Sequence, residues 1–152
     1  MKSRHIVYPP VWAIIALLLT VVWLPEPFTS ARPLWLLMLV CYVQVFLPEH
    51  FNVLGVVVLG LILDVLCPNV LGVHVLALIL PSYCLLERAR RFSFFSVAQQ
   101  TIWITALSLL YQFILSAVAW SMGYNTSISA ILLPVITTSL FWIWFRSKLI
   151  LC

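Results

Sequence analysis

The chain has 152 residues, of which 64% are hydrophobic and only 8% are charged, with a formal net charge of +4. A soluble domain carries about 25% charged residues, so this composition excludes a soluble globular protein and predicts an integral membrane protein. We expect a single transmembrane domain over residues 1–152, with no separate soluble domain.

Proline, charged and turn residues divide the apolar sequence into six predicted membrane spans. In chain order, the spans cover residues 8–24, 32–47, 50–67, 71–86, 94–122 and 127–145. A spanning helix needs about 20 residues, so the second and third spans are short, whereas the fifth is long enough to tilt. The predicted fold is therefore an all-α membrane protein, a six-helix transmembrane bundle.

The distribution of basic residues predicts the orientation of this bundle. With a cytoplasmic N-terminus, seven of the eight Lys and Arg residues lie on the cytoplasmic side and only Arg32 lies outside. Cytoplasmic loops are enriched in Lys and Arg, so we expect both termini in the cytoplasm. The sequence Arg88-Ala89-Arg90-Arg91 is interpreted as an orientation determinant, with contact to an anionic membrane surface as the alternative.

One other arrangement has the same charge distribution. The second and third spans could form a re-entrant hairpin that enters from outside, with Pro48-Glu49-His50 at its tip. We favour six full spans, because Glu49 on irregular backbone inside the membrane would need burial against protein or water.

Asp64 is the strongest candidate for a functional residue, because it lies inside the apolar sequence from Val53 to Leu66. A carboxylate at membrane depth costs roughly 2.5–3.5 kcal/mol, so it usually faces a protein interior or a wet cavity and has a partner. Gly60 lies four residues earlier, on the same helical face, where it would let a neighbouring helix approach closely. The pair indicates either a close helix crossing or a site that binds a partner or ligand.

The turn after Asp64 supplies a candidate partner for the carboxylate. Cys67-Pro68-Asn69-Val70-Leu71-Gly72 has the composition of a tight turn, which predicts an antiparallel pair of helices. His74 follows this turn and could reach Asp64 to form an ion pair or hydrogen bond. Gly72 and His74 are therefore added to the candidate site.

The fifth span carries a stripe of polar residues along one helical face: Thr101, Thr105, Ser108, Gln112 and Ser116. Such residues permit close helix packing and hydrogen bonds between helices in membranes. The stripe predicts either a packed helix contact or a polar pocket facing Asp64, with Thr105, Ser108 and Gln112 as its central members.

The sequence offers no pattern typical of catalysis, metal binding or nucleic-acid binding. The four cysteines are scattered, without a Cys-x-x-Cys pair or a histidine at metal-ligand spacing. There is no nucleophile–base pair, phosphate-binding glycine loop or pair of carboxylates. We expect a protein that is not an enzyme and has no metal or cofactor.

The sequence resembles the MreD family of bacterial rod shape-determining proteins. The resemblance is carried by Arg32-Pro33-x-Trp35, by Asn52-Val53, by the segment from Gly60 to Asp64 and by Leu71-Gly72-Val73. It implies a component of the inner-membrane elongation machinery that binds the partner MreC. Through MreC it implies the elongation transpeptidase and RodA as further partners, with MreB at the cytoplasmic face and lipids around the bundle.

The family is also similar in fold to the substrate-binding subunits of energy-coupling-factor vitamin transporters, which implies an outward-facing pocket. Two hypotheses follow. A scaffold that organises peptidoglycan synthases predicts a lipid-facing groove on the outside of the bundle. A small-molecule or lipid-binding subunit predicts an enclosed pocket around Asp64.

Overall fold

A computed structural model describes residues 9–21, 32–48, 51–67, 71–92 and 94–151. Within these ranges every regular element is a helix, which confirms the all-α prediction. The helices are α1 (Pro9–Val21), α2 (Trp35–Phe46), α3 (Val53–Leu66), α4 (Val73–Leu86), α5 (Ala89–Phe92), α6 (Val97–Ser121) and α7 (Ile128–Leu151). The predicted hairpin tip at Glu49 and His50 and the turn residues Pro68 and Asn69 lie outside the described residues.

Each of the first five predicted spans contains one of the longer helices, and α7 begins in the sixth, whereas the short helix α5 lies outside the six predicted spans. The last helix also continues to Leu151, past the predicted end of its span at residue 145. In the described part of the chain, α6 and the segment Ile128–Arg146 of α7 are long and apolar enough to cross a membrane. Helices α2, α3 and α4 are apolar but shorter.

Several helix ends are set by local hydrogen bonds. Asn52 begins α3, where its side-chain oxygen accepts a hydrogen bond from the amide of Leu54 at 3.0 Å. Ser96 begins α6 in a reciprocal capping arrangement with Gln99, which satisfies two amides that lack helical partners. Gly123 follows the end of α6 with a φ of 84°, a left-handed conformation that glycine adopts without steric cost.

The helices pack as two hairpins joined by further contacts. Helix α3 packs against α4, and α6 packs against α7, while α4 also contacts α6 and α2. The most buried apolar side chains come from α2 to α7 and include Leu37, Leu63, Leu78, Phe92, Ile104 and Trp142. Many large apolar side chains on the outer faces of α3, α6 and α7 are exposed, as expected for surfaces that contact lipid.

Helices α2 and α7 run in the same direction. The ring of Trp35 lies 4.6 Å from that of Phe141 near the start of α2. At the end of α2, the guanidinium carbon of Arg146 lies 4.9 Å from the ring centroid of Phe46. Both helices therefore end on the same side of the bundle.

The same side also contains the end of α4 and the start of α6. The side-chain amide of Gln44, near the end of α2, donates to the carbonyl of Ser82, near the end of α4, at 2.8 Å. Arg88, which follows α4, lies over the ring of Trp103 in the first half of α6. We call this side the Arg146 end, and the opposite side, where α3 leads into α4, the Asp64 end.

Candidate functional site

The carboxylate of Asp64 caps the start of α4 from the neighbouring helix. One oxygen accepts a hydrogen bond from the amide of Gly72 at 2.8 Å, and the other accepts from the amide of His74 at 3.0 Å. The first amides of a helix have no partner within the helix and attract negative charge. Gly72 occupies the capping position and has no side chain to satisfy them, so Asp64 supplies the missing acceptor.

The side chain of His74 completes the environment of this carboxylate. Its Nδ1 atom lies 2.7 Å from the same Asp64 oxygen that accepts from the His74 amide. An ionised carboxylate only accepts hydrogen bonds, so we assign the proton to Nδ1. Asp64 is 2% exposed and His74 is 6% exposed. The contact expected from the sequence is therefore present, in a buried position.

Gly60 allows α3 and α4 to approach closely beside this pair. A Cβ atom at Gly60 would lie 2.8 Å from the Cα atom of Val75 and 3.0 Å from its backbone nitrogen. Such distances are shorter than real carbon contacts, so any side chain here would push the helices apart. The close approach keeps the carboxylate of Asp64, one turn further along α3, within reach of the α4 amides.

Gly72 has a different role, because a side chain there would meet no atom within 4 Å. The φ of 95° restricts this position to glycine, since residues with a Cβ atom rarely adopt this left-handed conformation. Gly72 thus ends the turn in a geometry that directs its own amide, and that of His74, towards Asp64.

The polar stripe of α6 is mostly satisfied within its own helix. The hydroxyls of Thr101, Thr105 and Ser116 each donate to the carbonyl four residues earlier at 2.8 Å. Thr105 also lies 2.7 Å from the hydroxyl of Ser139 on α7. Ser108 is fully buried, and its hydroxyl has no partner among the described residues.

No hydrogen bond joins this stripe to Asp64 in the described ranges. Gln112 is half-buried, and the α6 residue that lies against His74 is Tyr111, with 6.4 Å between the ring centroids. The structure thus brings Asp64, Gly60, Gly72 and His74 together and directs Thr105 towards α7.

Two buried glutamines were not identified from the sequence. Gln44 bonds the carbonyl of Ser82, and Gln100 donates to the carbonyls of Phe92 and Phe95 at 3.0 and 3.2 Å. Gln44 lies between apolar residues, as Asp64 does, and that context could have identified it, whereas Gln100 lies between Gln99 and Thr101 and has no such signal. They join helices and loops at the Arg146 end.

An open apolar groove of about 740 Å³ lies on the outside of α6 and α7. It is lined by Val97, Ala98, Thr101, Ile102, Thr105, Ala106, Leu109 and Ile143. A second cavity of about 40 Å³ lies between α3 and α4 near Phe51. Neither is lined by Asp64 or His74. In the described part of the chain, no three His, Cys, Asp or Glu residues are grouped in a way that could hold a metal ion.

Comparison with known families agrees with the sequence motifs. A family model described as rod shape-determining protein MreD matches residues 3–150. The chain belongs to the MreD family. Searches of curated proteins and of solved structures each gave no match. Membership of the MreD family implies a role in determining rod shape, as a shape-determining component and not as a member of a known enzyme family.

Proposed function

We propose that this MreD-family chain is a non-enzymatic, multi-pass component of the bacterial inner membrane that binds MreC through a helix–helix contact. A chain with so little polar surface can act on peptidoglycan synthesis only through a partner that has a periplasmic part. By holding MreC, it would organise and regulate the elongation transpeptidase and RodA, with MreB on the cytoplasmic side.

The observation that carries this proposal is the open groove on α6 and α7. Its lining includes small side chains at Ala98, Thr101, Thr105 and Ala106. Small residues let two membrane helices approach closely, and packing of this kind drives helix association in lipid. The groove therefore has the composition of a surface that receives a single transmembrane helix.

The arrangement of charges supports six membrane spans with both termini in the cytoplasm. Arg88, Arg91 and Arg146 lie at the Arg146 end, whereas Arg32 lies before α2 and donates to the carbonyl of Thr20. The parallel course of α2 and α7 also supports six spans, since the second and sixth spans of such a bundle run in the same direction. A re-entrant hairpin would stop short of the level of Arg146.

The alternative function, a small-molecule or lipid-binding subunit like those of vitamin transporters, depends on a pocket around Asp64. Both oxygens of that carboxylate are already used by donors of α4. The two cavities described above, on α6–α7 and between α3 and α4, are not lined by Asp64 or His74. The scaffold is therefore the function that this geometry favours.

The test fills the groove and measures recovery of the partner. Ala106→Trp places a large side chain in the groove, so we expect co-purification of MreC to fall at least about tenfold and rod shape to be lost. Ala117→Trp is the matched control, since Ala117 is exposed on the same helix outside the groove lining. Normal recovery of MreC with Ala106→Trp, together with normal rods, would overturn the proposal.

A further inference from the structure

The segment between α4 and α6 is held in a defined shape by a buried amide. Gln100 is 0% exposed and donates to the carbonyls of both Phe92 and Phe95. Phe92 points into the core at 0% exposure, whereas Phe94, two residues later, is 89% exposed. The hydrogen bonds of Gln100 thus fix a backbone that buries one phenylalanine and presents the other on the surface.

Two arginines precede the exposed phenylalanine in consecutive turns of backbone: the amide of Phe94 donates to the carbonyl of Arg91 at 3.1 Å, and the amide of Arg91 donates to that of Arg88 at 2.9 Å. The guanidinium carbon of Arg88 lies 4.5 Å from the ring centroid of Trp103. An aromatic face attracts the cation but accepts no conventional hydrogen bond, so the guanidinium donors remain available. Arg91 is exposed, and neither arginine pairs with Glu87 or with any other carboxylate in the described part of the chain.

We propose that Arg88, Arg91 and Phe94 form a binding site for the phosphate of an anionic phospholipid. Guanidinium groups bind phosphate through paired hydrogen bonds, and clusters of basic residues at the cytoplasmic ends of membrane helices recognise anionic lipids. The exposed phenylalanine selects a lipid over dissolved phosphate, because insertion of its ring among acyl chains removes apolar surface from water.

The position of the site in the fold agrees with this occupant. All three residues lie at the Arg146 end, where α4 ends and α6 begins, which is the level at which helices leave the hydrocarbon. An apolar ring beside two cations suits the membrane–water boundary, where both groups find a favourable environment. The proposal rests on the membrane arrangement of the proposed function, but not on the binding of MreC.

The test measures lipid binding to the purified full-length chain in detergent by native mass spectrometry. The probes are phosphatidylglycerol, which is anionic, and phosphatidylethanolamine, which is zwitterionic. We expect tighter binding of phosphatidylglycerol, and a loss of about 25-fold in its affinity for Arg88→Gln/Arg91→Gln, from about fivefold per arginine. Phe94→Ser should weaken binding of both lipids.

The matched control is Arg32→Gln, which removes the same charge at the Asp64 end and should leave phosphatidylglycerol binding within about twofold. Equal affinity of the native chain for both lipids would overturn the proposal, as would full binding by the double variant or an equal loss with Arg32→Gln. If circular dichroism shows that the double variant is misfolded, the exposed Arg91→Gln alone should lose about fivefold. Ala106→Trp should keep lipid binding, which separates this site from the groove.

Discussion

Asp64 shows how a carboxylate is accommodated inside an apolar helix pair. Its three hydrogen-bond donors, two backbone amides and the imidazole of His74, all come from the start of α4. The amides would otherwise be unpaired at a helix start, and the carboxylate would otherwise lack solvation. The amides and the carboxylate therefore supply each other with hydrogen-bond partners, and these bonds stabilise the α3–α4 hairpin at the Asp64 end.

Separate substitutions of Asp64 and His74 distinguish what each side chain contributes to the free energy of unfolding. Asp64→Ala leaves the partly buried amide of Gly72, the buried amide of His74 and an imidazole nitrogen without an acceptor, so we expect a loss of about 2–4 kcal/mol in the free energy of unfolding. His74→Leu removes only the imidazole and keeps both amide bonds, so we expect a loss of about 1 kcal/mol. Reversible unfolding in mixed micelles measures both.

Asn52→Ala serves as the control, because it removes an exposed cap with a single amide bond and should cost no more than about 1 kcal/mol. An equal loss for His74→Leu and Asp64→Ala would contradict this account. It would mean that the imidazole, and not the helix amides, accounts for the stabilisation.

The Asp64–His74 contact could be predicted because both residues are visible in the sequence, on either side of a recognisable turn. The amides of Gly72 and His74 could not, since backbone donors have no sequence signature and depend on the left-handed φ of Gly72. The partners of Gln100 were equally hidden, because the carbonyls of Phe92 and Phe95 become available only in the short unpredicted segment around α5.

At the scale of the helices, the α3–α4 crossing depends on one glycine. Gly60 faces the backbone of Val75, whereas a Cβ atom added at Gly55, on the same helix, would meet no atom within 4 Å. The two glycines therefore differ in what a methyl group would contact, although both lie in the same apolar helix.

Replacing each glycine with alanine tests this difference. Gly60→Ala should force α3 and α4 apart and lower the free energy of unfolding by about 1–3 kcal/mol, as overpacking does. Gly55→Ala should be neutral or stabilise by up to about 1 kcal/mol, because alanine favours the helix. Unfolding in mixed micelles gives both values, and a Gly60→Ala protein as stable as Gly55→Ala would contradict the close crossing.

For the α6 stripe, helix periodicity predicts which residues share a face but not which hydrogen-bond partners they have. The spacing correctly groups its residues on one helix, but hydroxyls can bond the carbonyl four residues earlier, and Thr101, Thr105 and Ser116 do so. A polar face therefore does not require a wet pocket. Among the hydrogen bonds of the stripe in the described residues, only that of Thr105 with Ser139 depends on a neighbouring helix, and the sequence does not indicate which helix that is.

At the scale of the molecule, the two ends of the bundle differ in charge and in construction. The Arg146 end contains Arg88, Arg91 and Arg146, with two of the guanidinium groups lying over aromatic rings. The Asp64 end contains the capped hairpin. The difference in charge between the two ends could be predicted from the sequence, because the positive-inside pattern depends on loop composition. The stacking of arginines on Trp103 and Phe46 could not, because it depends on how the helices pack.

Six full spans and a re-entrant hairpin differ in the position of the α2–α3 connection. Helix α2 has 12 residues, about 18 Å in length, yet its end at Phe46 reaches the level of Arg146. Pro48, which is exposed just beyond that end, should therefore face the cytoplasm. A re-entrant hairpin would hold it inside the membrane, approached from the periplasm.

A cysteine at this position distinguishes the two arrangements. In a background without Cys41, Cys67, Cys84 and Cys152, we expect Pro48→Cys to react with an impermeant maleimide in inverted membrane vesicles but not in spheroplasts. Tyr124→Cys, exposed beyond the end of α6, is the control for the other side and should react only in spheroplasts. Labelling of Pro48→Cys from the periplasmic side would contradict six spans, because the reagent reaches only thiols open to the water on the side where it is added.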